Sequence, residues 1–98
     1  MTRRLVFRPQ ARADIAEAMA WYETQGPGLG ADFLRAVEVA VAAIQQNPFQ
    51  YQKVFGDWRR APIRRFPYGL IYVSEDNEIV VLACVHGRRS PRRWQDRS

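Results

Sequence analysis

The stretch IVVLACVHGRRSPRRW, residues 79–94, begins with seven consecutive apolar residues and becomes basic from His86 onward. A short run that is rich in β-branched residues and bounded by turn residues is typical of a strand buried on both faces. Because only an interior strand of a small domain has both faces covered, we predict a mid-sheet strand here. Successive side chains alternate between the faces, which places Ile79, Val81, Ala83 and Val85 on one face and Val80, Leu82, Cys84 and His86 on the other.

A cationic cluster follows where this strand leaves the core. A rigid strand that ends in a charged segment is a common way for a small domain to position a functional site. The rest of the chain is therefore expected to cover the strand and to support the cluster. Its members are His86, Arg88, Arg89, Arg92 and Arg93.

The length and composition indicate one folded domain over residues 1–98. A chain of 98 residues buries about 60–65% of its unfolded surface, which is enough for one core. An apolar content of 47% is that of a globular protein. No apolar run approaches the ~20 residues that span a bilayer, and no apolar core follows the charged N-terminal residues, so we expect neither a membrane span nor a signal peptide. We predict a cytoplasmic protein.

The sequence predicts no cofactor and no metal. Cys84 is the single cysteine, so there is no disulfide framework, and no second cysteine or histidine pair lies near it to bind a metal. There is also no glycine-rich phosphate loop and no Ser/His/Asp arrangement. We therefore expect none of these kinds of chemistry.

The net charge of +5 comes from the second half of the chain. Residues 1–50 hold five arginines and five acids, which cancel, whereas residues 51–98 hold ten basic residues against five acids. A basic half indicates a polyanionic partner, either nucleic acid or an acidic protein segment. The alternative explanation is that the arginine-rich composition reflects a GC-rich genome, since the chain has one lysine.

Two amphipathic helices are predicted in the first half. The first begins at Pro9, which suits an initial helical turn, and ends near Gln25 before a Gly-Pro-Gly break. The second runs from about Gly30 to Gln46 and is stopped by an Asn-Pro pair. Each helix has one apolar stripe, so the two form an antiparallel hairpin with both stripes turned toward a common core. Three acids of the first helix are expected on its other faces: Asp14, Glu17 and Glu23.

Strands, an aromatic loop and a last helical turn are predicted for the rest of the chain. Residues 3–8 form an early strand, residues 49–57 an aromatic loop, residues 70–74 a further strand and residues 92–95 a last helical turn. Pro62 cannot donate to a sheet, so any strand around it begins later or has one edge free. Tight turns join the last strands, which are therefore antiparallel neighbours. The predicted fold is α+β, in the order β-α-α-β-β-β, with an antiparallel sheet and the helical hairpin packed on one face.

Several motifs in this order resemble the ParE/RelE superfamily of bacterial toxins. They are A-x-x-D-I-x-E-A-x-x-W-Y-E (residues 11–23), G-L-G-x-x-F-L (28–34), N-P (47–48), R-R-F-P-Y-x-x-x-Y (64–72) and H-G-R-R-x-P-x-x-W (86–94). The resemblance runs nearly from end to end, and the motifs look closer to the ParE-like branch, which includes plasmid stabilisation proteins. It implies a curved antiparallel sheet with an α-hairpin, in agreement with the order of elements above.

The resemblance also implies a function. ParE-like toxins of type II toxin–antitoxin modules poison DNA gyrase by protein–protein contact, without chemistry of their own, and a cognate antitoxin neutralises them by wrapping a C-terminal segment around the toxin. The basic second half would suit an acidic wrap. RelE-like toxins instead cleave messenger RNA on the ribosome. We take the gyrase inhibitor as the leading hypothesis and the metal-independent endoribonuclease as the alternative.

The nuclease hypothesis depends on a small set of residues. Cleavage by attack of the RNA 2′-hydroxyl needs a base, positive charge on the scissile phosphate and an acid for the leaving oxygen. By resemblance, Arg64 and Arg88 match arginines that RelE-like nucleases place on the phosphate, and His86 remains as the candidate acid or base. Trp94 occupies the position that resembles the nuclease tyrosine, and an indole cannot accept a proton. The leading hypothesis therefore assigns no catalytic residue and treats His86 as a structural residue at a strand end.

The arginines divide into two groups. Arg59, Arg60, Arg64 and Arg65 are consistent with a solvated strand face that discourages aggregation, and strand alternation is expected to separate the last two. The residues beyond the central strand are free to converge, and an indole beside arginines suits a protein contact. We therefore predict that the target is bound by Arg88, Arg89, Arg92, Arg93 and Trp94.

Aromatic residues are also spread along the predicted elements. Their spacings favour packing in the core over the stacking of nucleic-acid bases. We make this prediction for Trp21, Tyr22, Phe33, Phe66, Tyr68 and Tyr72.

Overall fold

The computed structural model describes residues 3–87. These residues form two helices and five strands in the order β-α-α-β-β-β-β. The predicted α+β class is confirmed. The elements are β1 (Arg4–Phe7), α1 (Pro9–Gln25), α2 (Leu29–Gln46), β2 (Lys53–Phe55), β3 (Trp58–Ile63), β4 (Tyr68–Glu75) and β5 (Glu78–His86).

The helical hairpin forms as predicted. Gly28 adopts a left-handed backbone with φ of 87° at the start of α2, a conformation that glycine reaches without steric cost. The Glu23 carboxylate accepts hydrogen bonds of 3.0 Å from the backbone N–H groups of Gly28 and Gly30. These are otherwise unsatisfied donors at a helix N-terminus, which also favours negative charge. Glu23 is therefore a capping residue of the neighbouring helix.

The sheet has the strand order β1-β5-β4-β3-β2 and is mixed. Strands β2 to β5 are antiparallel neighbours, but β1 pairs with β5 in parallel, with Leu5 opposite Ile79. The prediction of a wholly antiparallel sheet was wrong at this edge, because tight turns constrain consecutive strands and no such turn joins β1 to β5. The short β2 was also missed within the predicted aromatic loop. It pairs with β3 only at Trp58 and Arg59, so the outer edge of β3 at Pro62 carries no strand among residues 3–87.

A β-bulge changes the faces of β5. Ile71 lies opposite Ala83 and Tyr72 opposite Val81, so Leu82 is an extra residue in the ladder. The predicted strict alternation was therefore wrong beyond this point. Leu82 and Ala83 both belong to the apolar cluster on the face away from the helices, while Cys84 joins Ile79 and Val81 in the core beneath the helices. The bulge thereby turns His86 toward the helical side of the sheet.

The core lies between the hairpin and the sheet. Tyr72 is fully buried there, and its hydroxyl donates a hydrogen bond to the Pro48 carbonyl. Burial raises the pKa of Tyr72 to about 12. The largest fully buried side chains of this layer are Tyr72, Phe33, Ile44, Leu70, Ile79 and Val81.

Candidate functional site

The first candidate surface is a groove between α1 and the end of β5, which we call the α1 groove. Its volume is about 660 Å³. The carboxylates of Asp14 and Glu17 give it a formal charge of −2 if His86 is neutral, and no lysine or arginine of residues 3–87 lines it. Its chemistry is therefore acidic and aromatic. The residues that define it here are Gln10, Asp14, Glu17, Trp21, Tyr68 and His86.

Asp14 has a structural role in this groove. Its Oδ2 accepts a hydrogen bond of 3.0 Å from the backbone N–H of Cys84. Strand β1 pairs with β5 only as far as Val81. The Asp14 carboxylate therefore accepts a hydrogen bond from a backbone N–H group that lies beyond the end of that pairing. The expectation that Asp14 lies on a face away from the core was wrong, because the side chain reaches the strand beyond the bulge.

The Cys84 thiol is buried and is protonated near neutral pH. Burial raises its pKa to about 12, and the neighbouring Asp14 carboxylate adds to the rise. The thiolate is the nucleophilic form of cysteine. Cys84 therefore does not act as a nucleophile near neutral pH.

His86 is exposed at the end of β5, opposite Tyr68 in the ladder. The two rings meet edge to face, with their centroids 5.1 Å apart. His86 therefore faces solvent. Among the described residues it shares its groove with the carboxylates of Asp14 and Glu17, and no arginine lies there to hold a phosphate.

The second candidate surface lies against α2, and we call it the α2 pocket. It has a volume of about 360 Å³. Three arginines minus one aspartate give it a formal charge of +2, and an aliphatic surface lies between them, including Val39, which is 59% exposed. Its residues are Asp32, Arg35, Ala36, Val39, Arg64 and Arg65.

Arg64 and Arg65 both line the α2 pocket. The prediction that strand alternation separates them was wrong, because β3 ends at Ile63 and the two arginines lie in the turn that follows. Arg65 has a φ of 75°, a left-handed conformation that is unfavourable for a residue with a Cβ. This turn is what brings the two side chains to one surface.

Arg59 and Arg60 point to opposite faces of β3. Arg59 donates a hydrogen bond of 2.6 Å to the Tyr51 carbonyl, so it anchors the loop before β2. Arg60 crosses Gly69, where a Cβ would lie 2.5 Å from the guanidinium carbon, and donates a hydrogen bond of 2.9 Å to the Gly87 carbonyl. Arg60 therefore holds the chain where β5 ends and the basic C-terminal residues begin.

The predicted target-binding residues lie outside the described residues. They are Arg88, Arg89, Arg92, Arg93 and Trp94, and the predicted turn at residues 92–95 lies there too. Of the three residues in the nuclease hypothesis, Arg88 is in this segment, while Arg64 and His86 line different pockets. Arg64 and His86 therefore share no pocket in the described part of the chain.

Most of the aromatic residues pack as predicted. Tyr22, Phe33, Phe66 and Tyr68 form one cluster of ring contacts beneath the hairpin. Trp21 differs, because it is 54% exposed and lines the α1 groove. Within residues 3–87, no group of three His, Cys, Asp or Glu side chains is arranged to bind a metal ion, and neither helix is long and apolar enough to cross a membrane.

Solved structures that share this arrangement include chains of toxin–antitoxin systems. The chain is similar to a chain of the chromosomal ParDE system from P. aeruginosa, with a TM-score of 0.76 and 19% identity over 89% of this chain and 98% of the other. It is also similar to a chain of the RelBE2 complex from Mycobacterium tuberculosis, with a TM-score of 0.61 and 22% identity over 88% and 99%. A YoeB dimer from Staphylococcus aureus gives a TM-score of 0.63 at 18% identity over 88% and 98%. The fold is thus that of the ParE/RelE-like toxins.

The family follows from the sequence. Residues 5–91 match the family model described as the ParE toxin of the type II toxin–antitoxin system parDE. Toxin ParE2 of Mycobacterium tuberculosis (strain CDC 1551 / Oshkosh) is 29% identical over 92 residues, which cover 93% of this chain and 88% of that protein. The chain belongs to the ParE toxin family, as the motif resemblance predicted.

Proposed function

We propose that this ParE-family toxin arrests growth by poisoning DNA gyrase through protein–protein contact, and that it does so without catalysis. In this proposal the target is contacted by the basic segment with Arg88, Arg89, Arg92, Arg93 and Trp94. The toxin acts in the cytoplasm, where gyrase works, and a cognate antitoxin neutralises it. Family membership supports the toxin role.

One observation favours contact over catalysis. A nuclease needs its proton-transfer group and its phosphate-binding charge to face one scissile bond. Here His86 opens into the acidic α1 groove, whereas Arg64 lines the α2 pocket. Phosphate would be repelled by Asp14 and Glu17 beside the only histidine. This placement makes the ribosome-dependent nuclease the weaker hypothesis.

The test is to incubate the purified toxin with gyrase, ATP and plasmid DNA. We expect linear plasmid to accumulate and supercoiling to be lost, and both effects should require gyrase. The Arg88→Ala, Trp94→Ala double variant should produce at least about tenfold fewer breaks, the size of effect expected for a protein hot spot. The matched control is Arg12→Ala, Trp21→Ala, which removes an exposed arginine and an exposed tryptophan of α1.

Two results would reject parts of this proposal. Intact plasmid and normal supercoiling with folded, growth-arresting toxin would reject gyrase and direct attention to translating ribosomes. Full activity of the folded Arg88→Ala, Trp94→Ala variant would reject the contact residues while leaving gyrase as the target.

A further inference from the structure

The α2 pocket combines positive charge with an exposed aliphatic surface. Arg64 and Arg65 form no ion pair with any of residues 3–87, and Arg35 pairs only with Asp32, three positions before it on α2. Guanidinium groups bind carboxylates through paired N–H donors. The pocket therefore has donors for at least one carboxylate beyond Asp32.

The floor of the pocket indicates what accompanies the carboxylates. Val39 is 59% exposed on the outer side of α2, and Ala36 lies one turn before it. Proteins that bind single-stranded nucleic acid stack its bases on aromatic rings, and no aromatic side chain of residues 3–87 lines this pocket. An aliphatic floor between arginines instead fits a leucine-type side chain of a peptide.

The backbone supplies an independent observation. Arg65 is held in a left-handed conformation that a glycine would adopt at lower cost. Such strain persists where the surrounding structure imposes it, and it is concentrated at functional positions. Here its effect is to place the second guanidinium beside Arg64 on the same surface.

We propose that the α2 pocket is a docking site for a protein segment that carries acidic residues next to an aliphatic one. The arginines bind the carboxylates, and the aliphatic side chain covers Val39. Under the proposed function this segment belongs to the antitoxin, so only that identity rests on the proposed function. The site is separate from the C-terminal residues proposed to contact gyrase, so the two can be lost independently.

The test uses a fluorescein-labelled peptide, LEELLEELLEE, and measures its fluorescence anisotropy with the purified toxin. Wild-type protein should bind it, and Arg64→Glu, Arg65→Glu should weaken binding by about tenfold or more. Val39→Asp should weaken peptide binding by about threefold or more, because the substitution removes an apolar contact and places a negative charge next to the acidic peptide. The matched control is Arg8→Glu, Arg12→Glu, which reverses two exposed charges at the start of α1 and should bind like wild type apart from a small loss from net charge.

The outcomes separate this inference from its competitors. Equal weakening by both double variants would overturn it, because binding would then follow net charge alone. So would tighter binding of single-stranded oligouridylate than of the peptide, or no peptide binding at all. None of these measurements contains gyrase. Failure here leaves the gyrase proposal standing, and failure of the gyrase assay leaves this docking site standing.

Discussion

The α1 groove and the α2 pocket flank the same helical hairpin, yet their chemistry is opposite. The groove has a formal charge of −2 and aromatic walls, whereas the pocket has a charge of +2 and an aliphatic floor. The groove contains the single histidine, and the pocket contains arginines that a phosphate or carboxylate would need. His86 and the pair Arg64 and Arg65 all belong to the family motifs, yet the fold places them on different surfaces. Each surface therefore suits a different partner.

The largest expected loss of stability comes from a substitution that pushes the two helices apart. A Cβ at Gly30 would lie 2.8 Å from the Met19 carbonyl oxygen, so α2 cannot keep its distance from α1. Gly30→Ala should lower the free energy of unfolding by about 2–3 kcal/mol, as overpacking of a tight contact does. Urea denaturation measures this, with Ala31→Ser on the exposed side of α2 as the control. An unchanged unfolding midpoint would mean that the hairpin is not packed as described.

A smaller effect distinguishes the two carboxylates of the α1 groove. Asp14→Ala removes the acceptor for the Cys84 N–H, so it should cost about 1–2 kcal/mol of stability. Glu17→Ala should change stability by less than about 0.5 kcal/mol, because this side chain is exposed and forms no ion pair with residues 3–87. Equal losses in the two variants would show that the groove is not held by Asp14 in particular.

The buried thiol of Cys84 makes the stability of the folded chain depend on pH. The pKa of Cys84 is raised from 9.0 to about 12 in the folded chain. Well below pH 9 the thiol is protonated in both the folded and the unfolded chain. As the pH rises from 9 toward 12, the unfolded chain loses a proton that the folded chain keeps, so stability falls. Burial also raises the pKa values of Tyr72 and Tyr22 from 10.0, so these phenols add to the fall, chiefly above pH 10, and the thiol contributes most of the fall between pH 9 and 10.

The measurement is the urea unfolding midpoint across this pH range. Cys84→Ala should remove most of the decline between pH 9 and 10, whereas Tyr72→Phe should leave most of that part and reduce the decline above it. A Cys84→Ala variant with the full decline between pH 9 and 10 would contradict the buried thiol.

The smallest effect tests the strain in the α2 pocket. Arg65→Gly should raise the free energy of unfolding by about 0.5–1 kcal/mol, because glycine adopts a positive φ without a Cβ clash. The same variant should bind the LEELLEELLEE peptide more weakly. Asp76→Gly is the matched control, since Asp76 has a φ of 48° in the β4–β5 turn and lies outside the pocket. It should gain stability without losing peptide binding. A loss of stability in Arg65→Gly would show that the turn is not strained.

Local patterns predicted most of the fold. The apolar stripes and the Gly-Pro-Gly break located both helices, and the apolar run from Ile79 to Val85 located an interior strand. The bulge could not be predicted, because Leu82 and Ala83 are both apolar and an apolar run carries no signal of register. The parallel pairing of β1 was missed because it depends on contacts between residues about 74 positions apart, such as Leu5 and Ile79.

The site was less accessible to sequence analysis. Asp14 and Glu23 bind backbone N–H groups of other elements, and no periodicity reports such long-range hydrogen bonds. The sequence analysis predicted Arg64 and Arg65 on opposite faces of a strand. The strand ends at Ile63, so the alternation does not apply to these two residues, which lie in the turn that follows. One signal was available: the motif residues Asp14 and Glu23 are acids on a helix within a basic chain, which is consistent with specific structural partners.

Above all, we propose that this toxin acts on gyrase by contact and not by catalysis. The most direct measurement is gyrase-dependent plasmid cleavage by wild-type toxin and by His86→Ala, with the fold of each variant verified by circular dichroism. We predict that both produce linear plasmid to the same extent, because the histidine stands in an acidic groove and, in the proposed contact mechanism, performs no chemistry. Absence of cleaved plasmid with wild-type toxin, or its loss in folded His86→Ala, would contradict the claim.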